Sequence, residues 1–575
     1  MARRNDRVDK TSIGDRFLAD NMILRSPDTV LRLNRLGAFH QTRLSFIRAM
    51  LRHVEAAGYV FDYSHWAIDK DGVGDAVLTA RGNGQIYSLV CFAHDLAPAM
   101  RTDRVIAEAW DATYTLFDGI PDAREMARLR ENTPRQEAGR YVHTDLILSR
   151  TNKSARLFDD VVECLAKGRQ PDAARLDDVG YVMRTTAVYG NGKFGIADRC
   201  RYAVRDGWGG PFRLEMLTVW MIRQFVADLI DHMAKAKGGR NAVSLEKVLR
   251  RRLGLGNSTG LGLGPFIVNH PALFARWVEC REIALALVCA QRDATPDAWQ
   301  MFRDWIYRAE RDVAGWLVPD ALQSKKIAAL REDLSVLAQR VAAMPHDHAF
   351  PWSEICSWAA DNMSLDGQEL VVSLVIEPHG DLVDHLADEM AVDTEHDRWF
   401  DPSMSVLQAR RTIEDHFAWA LKTDYARPAA QARFWYVSSN KLEPRLGERW
   451  EEPGAELELP LAVGRDIAAC HDDLRNCDDD ELVSDFLRRH SQHRHVLRRL
   501  RNPLAHQFGH IRDNLIGADL LPLDTLRCKL AFFGATRFDP KSDRWLRINM
   551  FRNAPYPDEV GEGPLDDWIF PRSDA

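Results

Sequence analysis

The stretch "YVMRTTAVYGNGKFGI", residues 181–196, decides how the middle of this 575-residue chain is read. Taken with the residues before it, it completes a helix over 174–186 that ends on Arg184, Thr185 and Thr186. Taken by its β-branched residues, "YVMRTTAVY" is a strand instead. We assign the helix. In both readings Gly190, Gly192 and Gly195 free the backbone around Tyr189, Asn191 and Lys193. Such a loop can turn amides and a lysine toward one anion. The plainer reading is a helix-ending turn whose glycines meet only conformational needs.

The letters "GNGKFG" satisfy G-x-G-x-x-G, but a dinucleotide site also needs a helix opening at the third glycine and an acidic residue about twenty positions on. "IADRCRYAVRDGWGG" supplies no such helix, and GxxxxGK[ST] is absent. No NAD, flavin or ATP fingerprint therefore stands in a convincing context, and the cofactor is left unassigned.

A second glycine cluster, "GLGNSTGLGLGPFIVNHP", spans residues 254–271 and carries Asn257, Ser258, Thr259, Asn269 and His270. Pro271 is placed to open a helix over 270–291, whose free amides would add positive potential nearby. Gly256-Asn257-Ser258-Thr259-Gly260 also spells G-x-S-x-G. A nucleophile elbow needs a strand before the serine and a helix after it, whereas "LEKVLRRRLGL" reads as helix. Ser258 is kept as a binding residue. Close packing through small residues is the structural alternative for this cluster. A third segment, "FWYVSSNKLEPRLGERW" (434–450), offers Tyr436, Lys441, Glu443 and Arg445 beside aromatics, either as a wall for an acidic metabolite or as a solvated, salt-bridged edge.

Working outward, residues 59–119 alternate β-branched and aromatic residues and read as a small antiparallel sheet, with a hairpin turn at Gly82-Asn83-Gly84. Helices are expected over 151–167, 212–235, 244–252, 296–316, 324–344, 351–377, 404–422, 459–475 and 480–501. Segment 212–235 is apolar on nearly every side, as a central buried helix is. "DRWLRINMF" can add one C-terminal strand. The fold class is thus α+β, predominantly α-helical, with an N-terminal antiparallel sheet followed by a large multi-helix body. Three regions are expected: an α+β region at 1–168, a helical domain at 169–422 carrying both glycine-rich loops, and a mainly helical region at 423–575.

Apolar residues make up 46% of the chain and charged residues 28%, an ordinary globular balance. The net charge of −8 offers no broad attraction to nucleic acid or to an anionic membrane. No apolar run is long enough to span a bilayer, and nine scattered cysteines without a CxxC pair suggest reduced thiols. A soluble, cytoplasmic protein is expected, with its oligomeric state open. Histidines gather late, at His490, His493 and His495 and then at His506 and His510, the last two spaced for one helix face but lacking the glutamate of HExxH. No metal is assigned. Arginine runs at 250–252 and 494–501 read as solvated helix faces.

Together these features suggest an enzyme acting on a small anionic metabolite bearing a carboxylate or phosphate, of lyase or isomerase type, with its site between the 184–196 and 254–271 loops. Lys193, Lys441 and His270 are the candidate proton carriers. Arg184, Thr185, Tyr189, Asn191, Asn257, Ser258, Thr259, Asn269, Tyr436, Glu443 and Arg445 are the candidate binding residues. The alternative is a non-catalytic helical interaction or ligand-sensing protein, with tryptophans such as Trp299, Trp305 and Trp316 marking contact surfaces.

Overall fold

The structure is a computed structural model. It describes residues 22–97, 109–136, 140–187, 207–210, 212–257, 271–317, 321–345, 347–390, 403–426, 435–437, 443–445, 460–494, 522–535, 537–542 and 545–562, with isolated positions at 17, 205, 496, 497, 500, 508, 565 and 568–570. A nine-stranded sheet organises these residues. Strands β1 (Val60–Ile68), β2 (Gly74–Gly82), β3 (Gln85–Ala93), β4 (Ala112–Asp118), β5 (Asp145–Lys153) and β6 (Tyr181–Ala187) pair antiparallel in sequence order. Strand β7 (Gly254–Asn257) then lies parallel to β6. A separate ribbon pairs β8 (Trp435–Val437) with β9 (Glu443–Arg445). From the far end of the chain, β11 (Trp545–Met550) pairs antiparallel with β7, and β10 (Arg537–Ser542) with β11. The α+β class stands. The small antiparallel sheet becomes a mixed one, and "DRWLRINMF" adds one strand as expected, paired with a further strand just before it.

The parallel pair dictates what joins it. Parallel neighbours need a long crossover, usually a helix, and the chain between β6 and β7 holds the long helix Arg213–Gly238. Its first two-thirds are buried on all sides, as its apolar composition requires. On the sheet side Trp220 meets Phe61 and Phe225 meets Trp66 and Tyr114, with ring centroids 5.2–5.9 Å apart. Arg223, fully buried on this helix, donates to the carbonyls of Leu253 and Ala554 and so ties the entry of β7 to the C-terminal segment.

Several expected helices end sooner than their periodicity suggests, each for a local reason. The helix expected over 174–186 stops at Val179, because Gly180 takes a left-handed conformation (φ 74°), and the β-branched run that follows extends as β6. The helix expected over 151–167 begins only at Phe158, since 145–153 pairs into β5. That expected over 244–252 shortens to Lys247–Arg251, after which Leu253 leads into β7. Ser364 caps a fresh helix inside 351–377, Phe417 interrupts 404–422, and 480–501 yields Val483–Arg489 followed by a 3-10 turn at Ser491–His493. The hairpin at Asn83-Gly84 forms as expected, with Gly82 paired to Gln85 and both turn residues at positive φ.

The main core gathers residues from Val30 to Phe570 around the sheet and the long helix. Trp299 and Trp305 are buried in it, so neither marks a contact surface. A second, smaller core packs Val406, Ile413, Ile467, Cys470 and Phe486 from the later helices. The eight described cysteines are free thiols. Among the described residues no helix is long and apolar enough to cross a membrane.

Candidate functional site

The two glycine-rich segments continue from neighbouring strand ends. Arg184 of β6 aligns with Gly256 of β7, and Thr185 with Asn257, in parallel register. Hydrogen-bonded strands lie about 4.8 Å apart, so the chain leaves β6 and β7 toward both segments from one edge of the sheet. Of the residues expected here, Thr185 and Asn257 are neighbours on one face of the sheet, where Asn257 Nδ2 donates to the Met550 sulfur at 3.7 Å, and Arg184 lies beside them on the opposite face. Tyr189, Asn191, Lys193, Ser258, Thr259, Asn269 and His270 lie outside the described residues, as do Lys441, His506 and His510. Tyr436, Glu443 and Arg445 fall on the β8–β9 ribbon, where Tyr436 opposes Pro444 and Glu443 opposes Val437.

Two of the glycines have a purely steric use. A Cβ on Gly256 would sit 2.8 Å from the Tyr181 ring, and one on Gly254 would sit 2.5 Å from the Met550 carbonyl oxygen. β7 therefore needs glycine to lie between β6 and β11.

Compared with known protein families, curated proteins and solved structures, this chain matches none. What the site can do has to be read from its own groups.

The two faces of the sheet differ in character here. Toward the long helix, the Tyr114 hydroxyl bonds the Thr151 hydroxyl at 2.9 Å, Thr151 donates to the Met183 sulfur, and Ser149 and Thr185 share a 3.2 Å hydroxyl contact. On the opposite face, Asn152 aligns with Arg184, and Arg150 stands two residues before Asn152 on β5, so the three share that face. The Arg150 guanidinium lies 4.2 Å above the Trp110 ring. Burial alone brings its pKa down to about 10, the mark of a cation in poorly hydrated surroundings. The Trp110 indole Nε1 is buried and has no hydrogen-bond partner among the described residues.

Asn152 fixes the backbone that carries this tryptophan. It accepts from the Asp111 amide at 3.0 Å and donates to the Ala109 carbonyl at 3.2 Å. The buried Asp111 carboxylate accepts the Lys153 amide at 2.9 Å. Thr113, opposite Arg150, bonds His94 at 2.9 Å, and burial holds that imidazole below its usual pKa, hence neutral. The face thus combines two guanidiniums, an indole N–H and a neutral imidazole.

Sequence reasoning missed Arg150, Trp110, Asn152 and His94. Once 145–153 is read as a strand, the alternation in "DLILSRTNK" puts Arg150 and Asn152 on one face. Beginning a helix at residue 151 hid that signal. Strand β6 precedes "GNGKFG", but the next described helix opens only at Arg213. Strand β7, not the expected helix, runs up to Ser258, and the next described helix opens at Pro271. The residues directly after each turn lie outside the described residues. The arginines at 250–252 pair with Asp558, Glu559 and Asp177, which accounts for that run.

Proposed function

We propose that this protein is an enzyme acting on a small anionic metabolite, carrying a carboxylate or phosphate, bound where β6 and β7 end. The observation that supports the reading is the parallel register of Arg184 with Gly256 and Thr185 with Asn257. Ligands of sheets with parallel strands sit outside the carboxyl ends of those strands, where the loops depart. In this reading Arg150 and Arg184 supply positive potential from one face of the sheet, Asn257 borders the site from the other, and Lys193 with His270 moves the proton of a lyase or isomerase reaction. Tyr189, Asn191, Ser258, Thr259 and Asn269, outside the described residues, are proposed as further binding residues. The steric use of Gly254 and Gly256 supports the close-packing alternative for that cluster, and with it the second reading, a non-catalytic helical interaction or ligand-sensing protein, gains ground.

The test begins with calorimetry of the full chain against inorganic phosphate and a panel of small carboxylates, followed by Lys193→Met. Loss of one charge-assisted hydrogen bond is expected to weaken binding by about 1.5–3 kcal/mol, roughly ten- to a hundredfold, with the circular dichroism spectrum unchanged. Binding without turnover of any bound anion would select the sensing reading. Unchanged affinity in Lys193→Met would remove the 188–196 segment from the site.

A further inference from the structure

The late histidines hold a cluster that the proposed anion site does not use. Asp473 lies in the last turn of the helix Pro460–Leu474, His490 caps the 3-10 turn that follows Val483–Arg489, and His493 is that turn's last residue. His493 Nε2 is 2.7 Å from Asp473 Oδ2, and His490 Nδ1 is 3.3 Å from the same oxygen. One ligand-capable atom from each residue falls within 4.8 Å of the other two. We propose that Asp473, His490 and His493 form a binding site for one divalent transition-metal ion of zinc-like chemistry.

The spacing is what such an ion asks for. Zinc binds nitrogen and carboxylate oxygen at about 2.0–2.1 Å in a tetrahedron, which holds neighbouring donor atoms about 3.3 Å apart. The 3.3 Å contact of His490 already matches it, His493 has to open by about 0.6 Å from Asp473, and the two histidine donors, within 4.8 Å of each other, have to close toward the same value. Both imidazoles are also held in place. The Phe486 ring lies 4.7 Å from His490 and 5.8 Å from His493, with interplanar angles of 17° and 11°. That stacking limits ring rotation and keeps a nitrogen of each histidine facing the carboxylate. Phe486 itself belongs to the second core, so the platform is anchored.

Access and selectivity follow from burial and donor type. The His493 side chain is 6% exposed, His490 29% and Asp473 36%, so the cluster is rooted inside and opens to solvent on one side. Three protein donors leave a fourth position for water, the arrangement of a reactive rather than a closed structural site. Two imidazoles and one carboxylate select a borderline ion such as zinc, cobalt or ferrous iron over magnesium or calcium, which take oxygen donors. In the sequence, "RRHSQHRH" marks the two histidines, and the folded helices supply Asp473.

The proposal does not rest on the anion site, and its test uses the full chain after treatment with a chelator. Calorimetric titration is expected to show one Zn2+ per chain at this site, with Mg2+ binding far more weakly. His493→Ala and Asp473→Asn should each weaken Zn2+ binding about a hundredfold or more, because changes outside the ligand shell already cost about 10–100-fold. A His506→Ala, His510→Ala double variant should leave the affinity unchanged. X-ray absorption of the zinc-loaded wild-type chain should count two imidazoles, a readout that stands even where a variant fails to fold. Absence of Zn2+ binding by the wild type, retention of full affinity in His493→Ala, equal affinity for Mg2+, or an imidazole count other than two would each overturn the assignment.

Discussion

Asp228 on the long helix accepts a hydrogen bond from the Tyr63 hydroxyl at 2.7 Å and from Gln224 Nε2 at 2.9 Å. Burial lifts its pKa to about 6 despite those bonds. The folded chain therefore holds this proton more tightly than the unfolded chain does. The stability linked to it is full below the ordinary aspartate value of about 3.9 and is lost as pH rises through 6, up to about 3 kcal/mol. Asp228→Asn removes the charge, keeps an acceptor for Tyr63, and offers a donor to Gln224 Oε1, which is buried without a partner among the described residues. Urea denaturation at pH 5 and pH 8 should show the variant gaining about 1–3 kcal/mol over wild type at pH 8 and much less at pH 5. Equal gains at both pH values would dismiss the buried-carboxylate explanation.

At the scale of single elements, β7 is the most constrained piece of the sheet, four residues held between β6 and β11. Gly256→Ala would push a methyl group against the Tyr181 ring, and overpacking of that kind costs about 1–3 kcal/mol. Thermal unfolding should show that loss. A variant of undiminished stability that fails to bind an anion would instead tie Gly256 to ligand access. How much of this was legible depends on where each signal resides. Asn83-Gly84 and the apolar long helix could be read directly, because a two-residue turn and a 3.6-residue period are local. The β6 reading failed because "ARLDDV" gives helical periodicity up to Val179, and only the φ of Gly180 ends it. Arg184 was singled out as a residue but placed on the wrong element. The alternation that places Arg150 is local, but its approach to Trp110 depends on β4 pairing with β5 across a long sequence separation, which no short window contains.

Across the whole molecule, the main core encloses a charge network rather than hydrocarbon alone. Glu369 accepts from Arg25, Arg35 and Arg281 at 2.6–2.8 Å, and Arg25 also grips Glu282. Burial by itself would raise the Glu369 pKa, but Arg25, Arg281 and Arg35 hold it well below the usual carboxylate range. A depressed folded pKa contributes stability above the ordinary glutamate value of about 4.3, and that contribution is lost as pH falls. Glu369→Gln leaves the arginines uncompensated and should cost about 3–5 kcal/mol at pH 7. The deficit should narrow toward pH 3 in denaturant titrations; a deficit independent of pH would contradict the role given to the charge. Asn257 of β7 pairs with Ile548 of β11, so β7 leaves the ribosome long before its second neighbour exists. At about 5–20 residues per second, the wait is roughly 15–60 s. During that interval β7 is a nascent edge with one side unpaired, open to any extended segment that reaches it first, and newly made chains are most exposed to mispairing and to chaperone capture there.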